Sequence, residues 1–479
     1  MSQDDIAWLP AWRVREKVLA KELSPVEVTE HQLERIERLD PQVNSFITVA
    51  GERALEEAGQ AEQAVSRGES VGPLFGSLVG VKDQIWTEGI RSTGGSLLYE
   101  DFVPTEDSVQ VERLRNAGAT ILGKTNCPEF GMHLRTKNRV ADECVNPWDT
   151  TRTSGGSSGG SAVSVASGLV PVALGTDGSG SGRVPAAFCG VFGLHGSDGR
   201  VPRGGAFGGT LFTSGTGPMT RDVRDAATML QAMAGPDPRD PTSMQDPVPD
   251  YLADLDKGVA DLRIAWAEDY GYETKVIDPA VRDAAHTAAL RFESDLGAHI
   301  EAPELQMTDP TVAFDIIRGV DKYSVSGHLL EDPGKRPLLS FAVDNPKFEQ
   351  FRHTTAVEYS RALRVRFEVI EQFRQVFERY DLIVTPTVTM TAPKVKPPDT
   401  ALFSNFDWII SALGITGMIN FTGLTAATVP CGFVDGLPVG LHIIGKRNDE
   451  ATVLRASRAI EQALPWAQHR PPLATEVPA

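Results

Sequence analysis

Two glycine–serine tracts hold the residues with the most chemical potential in this chain. "TSGGSSGGSA" runs from Thr153 and "GTDGSGSGRVPA" from Gly175, separated by the apolar stretch "VSVASGLVPVAL". A serine in such a turn is a candidate nucleophile, but it needs an adjacent base to take its proton. The nearest histidine along the chain, His195, lies beyond a second apolar run, "PAAFCGVFGL". A tight turn is the plain alternative, with glycine supplying positive φ and serine capping the next helix. Two such turns in tandem, each leading into an alanine-rich helical stretch, point further. Consecutive backbone N–H groups at a helix start form a concave donor set suited to a developing oxyanion.

Other motifs fail on context. "GATILGKT", Gly118 to Thr125, satisfies G-x-x-x-x-G-K-[ST], but a phosphate loop needs a strand before its first glycine and a helix from its lysine. Here a helical pattern precedes Gly118, "ATILGKT" reads as strand, and "NCP" follows Thr125. "GGSSG", Gly155 to Gly159, satisfies G-x-S-x-G, but a nucleophile elbow needs a buried strand feeding its serine. The polar "NPWDTTRTS" precedes it instead. No H-E-x-x-H or other metal-ligand pattern is visible, so no metal and no cofactor is expected.

The elements that must position the serines are legible from patterning. "AWRVREKVLAKELS" has helical spacing, and "SPVEVTEHQLERIERLD" opens with Ser24 as N-cap, Pro25 at the first helical position and Glu27 completing a capping box. "LVGVKD", "DSVQVERLRNAG", "ATILGKT" and "SAVSVASGLVPVAL" alternate strand and helix, the mark of an α/β sheet with helices on its faces. The organisation predicted is a single domain over 1–479. It has a helical segment at 1–70, a core at 71–235, a divergent helical segment at 236–380 and core strands at 381–479.

Composition bounds the partners. The chain has 479 residues, 41% of them hydrophobic and 23% charged, which is ample for a core. A formal net charge of −18 argues against a nucleic-acid partner. Cys127, Cys144, Cys189 and Cys431 are scattered, which suits no disulfide framework and predicts a reducing cytoplasm. The start "MSQDDIAWLP" is acidic and lacks an apolar h-region of signal-peptide length, and no run nears the ~18 apolar residues that cross a bilayer, so a soluble, cytoplasmic protein is expected.

Read together, "GVKDQI", "GKTNCPEFGM", "NPWDTTRTSGGSSGGSA", "ALGTDGSGSGRVPAAFCGVFGL", "DLIVTPT" and "FTGLTAATVPCGFVDGLPVGLHIIGKRNDEATVL" resemble, in order, the blocks of the amidase signature family. The resemblance implies a large mixed β-sheet surrounded by α-helices and a Ser–cis-Ser–Lys triad. By motif position the lysine is Lys82, the cis-serine Ser157 and the nucleophile Ser181. The oxyanion hole it implies is the backbone N–H set of Gly178, Ser179, Gly180 and Ser181, with Ser158, Asp177 and Arg183 as supporting hydrogen-bonders. Lysine serves as a base only when neutral, and burial without a carboxylate partner lowers its pKa. "LVGVKD" ends an apolar run, and Asp83, adjacent on the strand, points to the other face.

The activity implied is hydrolysis of a linear, non-peptide C–N bond in a small amide, anilide or carbamate through a seryl acyl-enzyme. Two alternatives stay open: a glutamine amidotransferase A-type subunit, needing partner subunits and charged tRNA, and a non-catalytic binding protein on the same scaffold. Against the first, Val184 stands where that subunit usually has glutamine, and "GRVPRGGAFGGTLFTSGTGPMTRD" lacks its usual run. Homodimerisation is left open. Ser179 and Gly182 depart from the family's usual glycine and isoleucine, His195 stands where a lysine is common, and His133 lies in the unusual "MHLRTKNRVADECVNP". Substrate contacts are expected from about 300 to 420, with Phe341, Phe403, Trp408 and Ile409 as apolar-wall candidates.

Overall fold

In the computed structural model the described residues are 3–271, 277–340, 346–395 and 413–475. Their framework is a mixed sheet of 11 strands. The strands in chain order are β1 (Phe46–Val49), β2 (Leu78–Lys82), β3 (Thr120–Thr125), β4 (Val145–Asn146), β5 (Asp149–Thr153), β6 (Val172–Asp177), β7 (Phe192–His195), β8 (Gly215–Thr220), β9 (Arg263–Trp266), β10 (His299–Glu301), β11 (Leu382–Pro386), β12 (Thr425–Val434) and β13 (Leu437–Gly445). The main sheet is ordered β1-β3-β2-β6-β8-β7-β12-β13-β11-β9-β10, and β4 and β5 form a separate hairpin.

Strands β3, β2 and β6 are parallel neighbours, so their C-terminal ends share one edge of the sheet. Register pairs Lys82 with Thr125 and Val81 with Lys124. Alternation therefore puts Lys82 and Lys124 on opposite faces. All five residues of β2 and all six of β3 are buried, as expected for strands covered on both faces.

The helices follow their caps. Ser24 accepts from the N–H groups of Val26 and Glu27 at the start of Pro25–Leu39, while its own hydroxyl donates to Glu62 at 2.6 Å. Ser108 caps Val109–Asn116, and Gly118 (φ 90°) turns that chain into β3. Thr355 and Glu358 complete a reciprocal capping box at the head of Ala356–Arg379.

The segment 236–380 differs from the expectation of a helical stretch. Besides the helices Pro279–Ser294, Thr311–Glu331 and Ala356–Arg379, it supplies β9 and β10, which extend the sheet in parallel from β11. "RIAW" and "HIE" are short and set among charged residues, so no period marks them; pairing with β11 makes them strands.

Candidate active site

Both glycine–serine tracts sit at the shared strand edge. The first turns from the β4–β5 hairpin into the helix Gly159–Ala166, and the second turns from β6 into the helix Arg183–Cys189. Both are buried, and two glycines show why. Gly180 has φ 105°, and a Cβ there would come 2.1 Å from Thr416 Oγ1. A Cβ on Gly160 would come 2.2 Å from the Asn126 amide nitrogen. The pliable backbone lets two turns and their neighbours approach more closely than side chains allow.

The turns are fastened to each other: the Ser158 N–H donates to the Ser181 carbonyl at 3.0 Å. The second turn is wrapped around Asp177. Its carboxylate accepts from the N–H of Gly180 at 2.6 Å and of Gly182 at 3.1 Å, and from Arg183 Nε at 2.9 Å. Asn420 Nδ2 adds a bond at 3.0 Å, and Arg183 Nη2 donates to Asn420 Oδ1 at 2.6 Å. Burial opposes ionisation of Asp177, but Arg183 and these donors hold its carboxyl well below the usual range.

This clamp alters one expectation. The Gly180 N–H is committed to Asp177, leaving the amides of Gly178, Ser179 and Ser181 as candidates for an oxyanion. Ser179 does not compete for the lysine: its hydroxyl donates to the Gly178 carbonyl at 2.6 Å. A Cβ at Gly182 would rest in ordinary contact with Asp177, 3.4 Å away, so the backbone there is not forced to be glycine by a close approach.

Lys82 is fully buried, and its ammonium reaches Ser157 Oγ at 2.6 Å, Thr176 Oγ1 at 2.7 Å and Ser158 Oγ at 3.0 Å. The Gly156–Ser157 peptide is cis. Asp83 turns away and accepts from the Thr93 and Gly95 N–H groups. Burial pushes the Lys82 pKa down to about 8, against the pull of Cys127 and Asp177. The Cys127 thiol is itself raised by burial to about 12, so it brings no charge at neutral pH. At pH 7 about a tenth of Lys82 is then a neutral amine.

The network also fixes where the neutral amine's lone pair points. Ser158 spends its proton on the Thr176 carbonyl at 3.0 Å, and Thr176 spends its own on Gln84 Oε1 at 3.0 Å. Gln84 is held in that orientation because its Nε2 donates to the Phe130 and Phe207 carbonyls. Both hydroxyls must therefore accept from Lys82, which uses the two N–H bonds of the amine. The lone pair is left facing Ser157. Ser157 and Ser181 open onto one cavity of about 590 Å³. Among the described residues no hydrogen bond joins the two hydroxyls; such contacts tighten when substrate binds.

The histidines stand aside. His195 is buried, with its pKa pushed down to about 4 by burial against the pull of Asp177. His442 accepts from Arg183 Nη1 at 2.9 Å and is held well below its usual pKa by burial and by Arg183. His133 lines the cavity, and burial lowers it to about 4. Lys124, the would-be phosphate-loop lysine, is buried within β3 and donates to Thr87 Oγ1 at 2.8 Å and Ser92 Oγ at 2.9 Å. No group of three or more His, Cys, Asp or Glu suited to a metal occurs among the described residues.

Sequence patterning does not single out Thr176, Gln84 or Asn420. Thr176 and Gln84 lie inside quoted motifs, and a polar residue at the buried end of a strand is the available signal. Asn420 has none, since its partner Arg183 is far away in sequence. The cavity draws on Phe130 to Leu134 and Arg203 to Thr216 as well as on the expected region beyond 300. Phe341, Phe403, Trp408 and Ile409 lie outside the described residues.

A fold of this topology with this serine–lysine edge defines a class, and comparison with known proteins agrees. The Amidase family model matches residues 27–454, and the chain belongs to that family. The A-type subunit of glutamyl-tRNA(Gln) amidotransferase from Geobacillus kaustophilus (strain HTA426) is 37% identical over 489 aligned residues, covering 95% of this chain and 96% of that one. A bacterial aryl acylamidase of the amidase signature family superposes with a TM-score of 0.88 at 30% identity, covering 98% of this chain and 99% of the other. The corresponding amidotransferase subunit of Thermotoga maritima gives 0.80 at 30% identity, with 96% of each chain covered. No helix among the described residues is long and apolar enough to cross a membrane.

Proposed function

We propose that the protein hydrolyses the C–N bond of a small linear amide through a seryl acyl-enzyme, with Ser181 as nucleophile. The observation that carries this is the lone-pair geometry of Lys82: its two other partners have no proton to give, so it can draw one only from Ser157. Neutral Lys82 takes the Ser157 proton, and Ser157 takes that of Ser181. Ser181 Oγ bonds to the amide carbon, and the oxyanion rests on the amides of Gly178, Ser179 and Ser181. The proton returns through Ser157 to the leaving nitrogen as the C–N bond breaks. Water then adds to the acyl carbon and releases the acid.

A second reading is favoured by a specific observation. The curated relatives at 34–38% identity over at least 95% of this chain are named as amidotransferase subunits. In that reading the same site releases ammonia from glutamine for use with partner subunits and charged tRNA. Val184 and the departures of the 200–221 stretch weigh toward free-standing hydrolysis of anilides, carbamates or other small amides.

The test is ammonia or amine release from glutamine and from a panel of alkyl amides, anilides and carbamates, with Ser181→Ala in parallel. Turnover by wild type and a loss of at least about 1,000-fold in the variant are expected. Turnover surviving in Ser181→Ala overturns the nucleophile. Glutamine as sole substrate, together with co-purifying partners, selects the amidotransferase reading. Ligand binding without turnover selects a binding protein.

A further inference from the structure

Among the described residues the walls of the nucleophile's cavity hold several charges, and all but one are already matched. Arg203 donates to the carbonyls of Thr210 at 2.6 Å and Leu211 at 3.0 Å and to Thr242 Oγ1 at 2.6 Å. Glu358 accepts from the N–H and hydroxyl of Thr355, both at 2.8 Å. On the helix Thr311–Glu331, Asp315 and Arg318 pair with each other at 3.3 Å. One turn further along the same face stands Lys322, which also lines the cavity. Among the described residues none gives Lys322 a hydrogen bond or an ion pair.

A lysine in a cavity wall is costly without a partner, because burial penalises its charge. The described groups around it make matters worse: Arg318 and Lys82 repel its charge, Asp315 alone among them attracts it, and neighbouring His133 is neutral at pH 7. Asp315 is already engaged by Arg318. What the described residues around Lys322 lack is an unengaged negative charge, and the cavity is open to a ligand that could bring one.

We infer that Lys322 receives a carboxylate carried by the amide substrate, so that the substrate class is amides bearing an acid group away from the scissile bond. The carboxylate supplies the counter-charge that the wall lacks. Lys322 donates to it while Ser181 faces the amide carbonyl, fixing both ends of the substrate. A charge-assisted bond of this kind is worth about 10- to 100-fold in binding. The kinetic arm of the test rests on the amide-hydrolysis reading above, and the binding arm does not.

The kinetic experiment compares glutaramate with valeramide, which share a chain length and differ in the carboxylate, in wild type, Lys322→Met and Lys322→Arg. The expected result is a kcat/KM ratio favouring glutaramate by at least about tenfold in wild type, falling toward one in Lys322→Met and kept above one in Lys322→Arg. A ratio near one in wild type, or an undiminished ratio in Lys322→Met, overturns the inference and leaves amide hydrolysis standing. Calorimetric binding of glutarate against glutaramide, in wild type and both variants, decides the matter if neither amide is turned over. Glutarate binding at least about tenfold tighter than glutaramide, lost in Lys322→Met, supports the carboxylate site even if hydrolysis fails. Equal binding, or no glutarate binding by folded wild type, overturns it. Thermal unfolding of each variant checks that the fold is kept, with Lys322→Arg holding the charge in place.

Discussion

At the residue scale the site turns on which hydroxyls can give a proton to Lys82. With Lys82 as the proposed base, held at about 8, kcat/KM should rise about tenfold per pH unit up to that value and then level off. The sign follows from the role: a base works only deprotonated, so protonation below about 8 removes activity. His133 and His195, both lowered to about 4, would put the limb near 4 instead, so a pH profile separates the candidates. Thr176→Val tests the lone-pair argument, since it deletes an acceptor of Lys82 and a donor to Gln84. It should cost at least about 100-fold in kcat with KM little changed, and Thr176→Ser, which keeps the hydroxyl, should restore most of it. A Val variant as active as wild type would show that the lone pair is steered by something else. The motif blocks name Lys82, Ser157 and Ser181 because those residues sit inside contiguous, recognisable strings. Thr176 and Gln84 are hidden in the same strings, since their roles depend on where a proton goes, and no spacing expresses that.

At the scale of elements, the turn after β6 is shaped by its own first residue. Asp177 collects the amides of Gly180, Gly182 and Arg183, and the Arg183 side chain closes the loop from the helix that follows. Asp177→Ala leaves a buried guanidinium without its anion, a change that costs about 3–5 kcal/mol. Denaturant unfolding should register that loss, together with a fall in kcat as the turn relaxes. Because the native pKa of Asp177 lies below its unfolded value, its stabilisation is complete above about pH 4 and drains away as pH falls further. Asp177→Asn should accordingly flatten the acid side of the stability profile. Stability that falls as steeply below pH 4 in this variant would assign acid sensitivity to other carboxylates. Local sequence shows the strand, the glycine turn and the helix here. It also shows the helix before Gly118 and the β3 strand after it. It does not show β9 and β10, whose three or four residues become strands only by lying beside β11.

Over the whole molecule, sheet order separates base from wall. Lys82, Ser157 and Ser181 are fixed by β2, β6 and the two turns, whereas the helix Thr311–Glu331 brings Phe314 and Lys322 into the wall of the same cavity. The two parts meet through distant pairings, such as Asn420 with Arg183 and β12 with β7, which no local pattern foretells. Phe314 is buried against Phe421 with ring centroids 5.7 Å apart, and it lines the cavity from a different element than the one that carries Lys82. Phe314→Ala should therefore enlarge the cavity and lower stability by about 3–5 kcal/mol. It should raise KM for short amides, relax discrimination against bulky acyl groups and leave the acidic limb near pH 8. Rate profiles against pH and acyl length in the variant test this together. An acidic limb displaced by a whole unit would mean that wall and base respond as one body, because the desolvation that keeps Lys82 low would then depend on packing across the cavity.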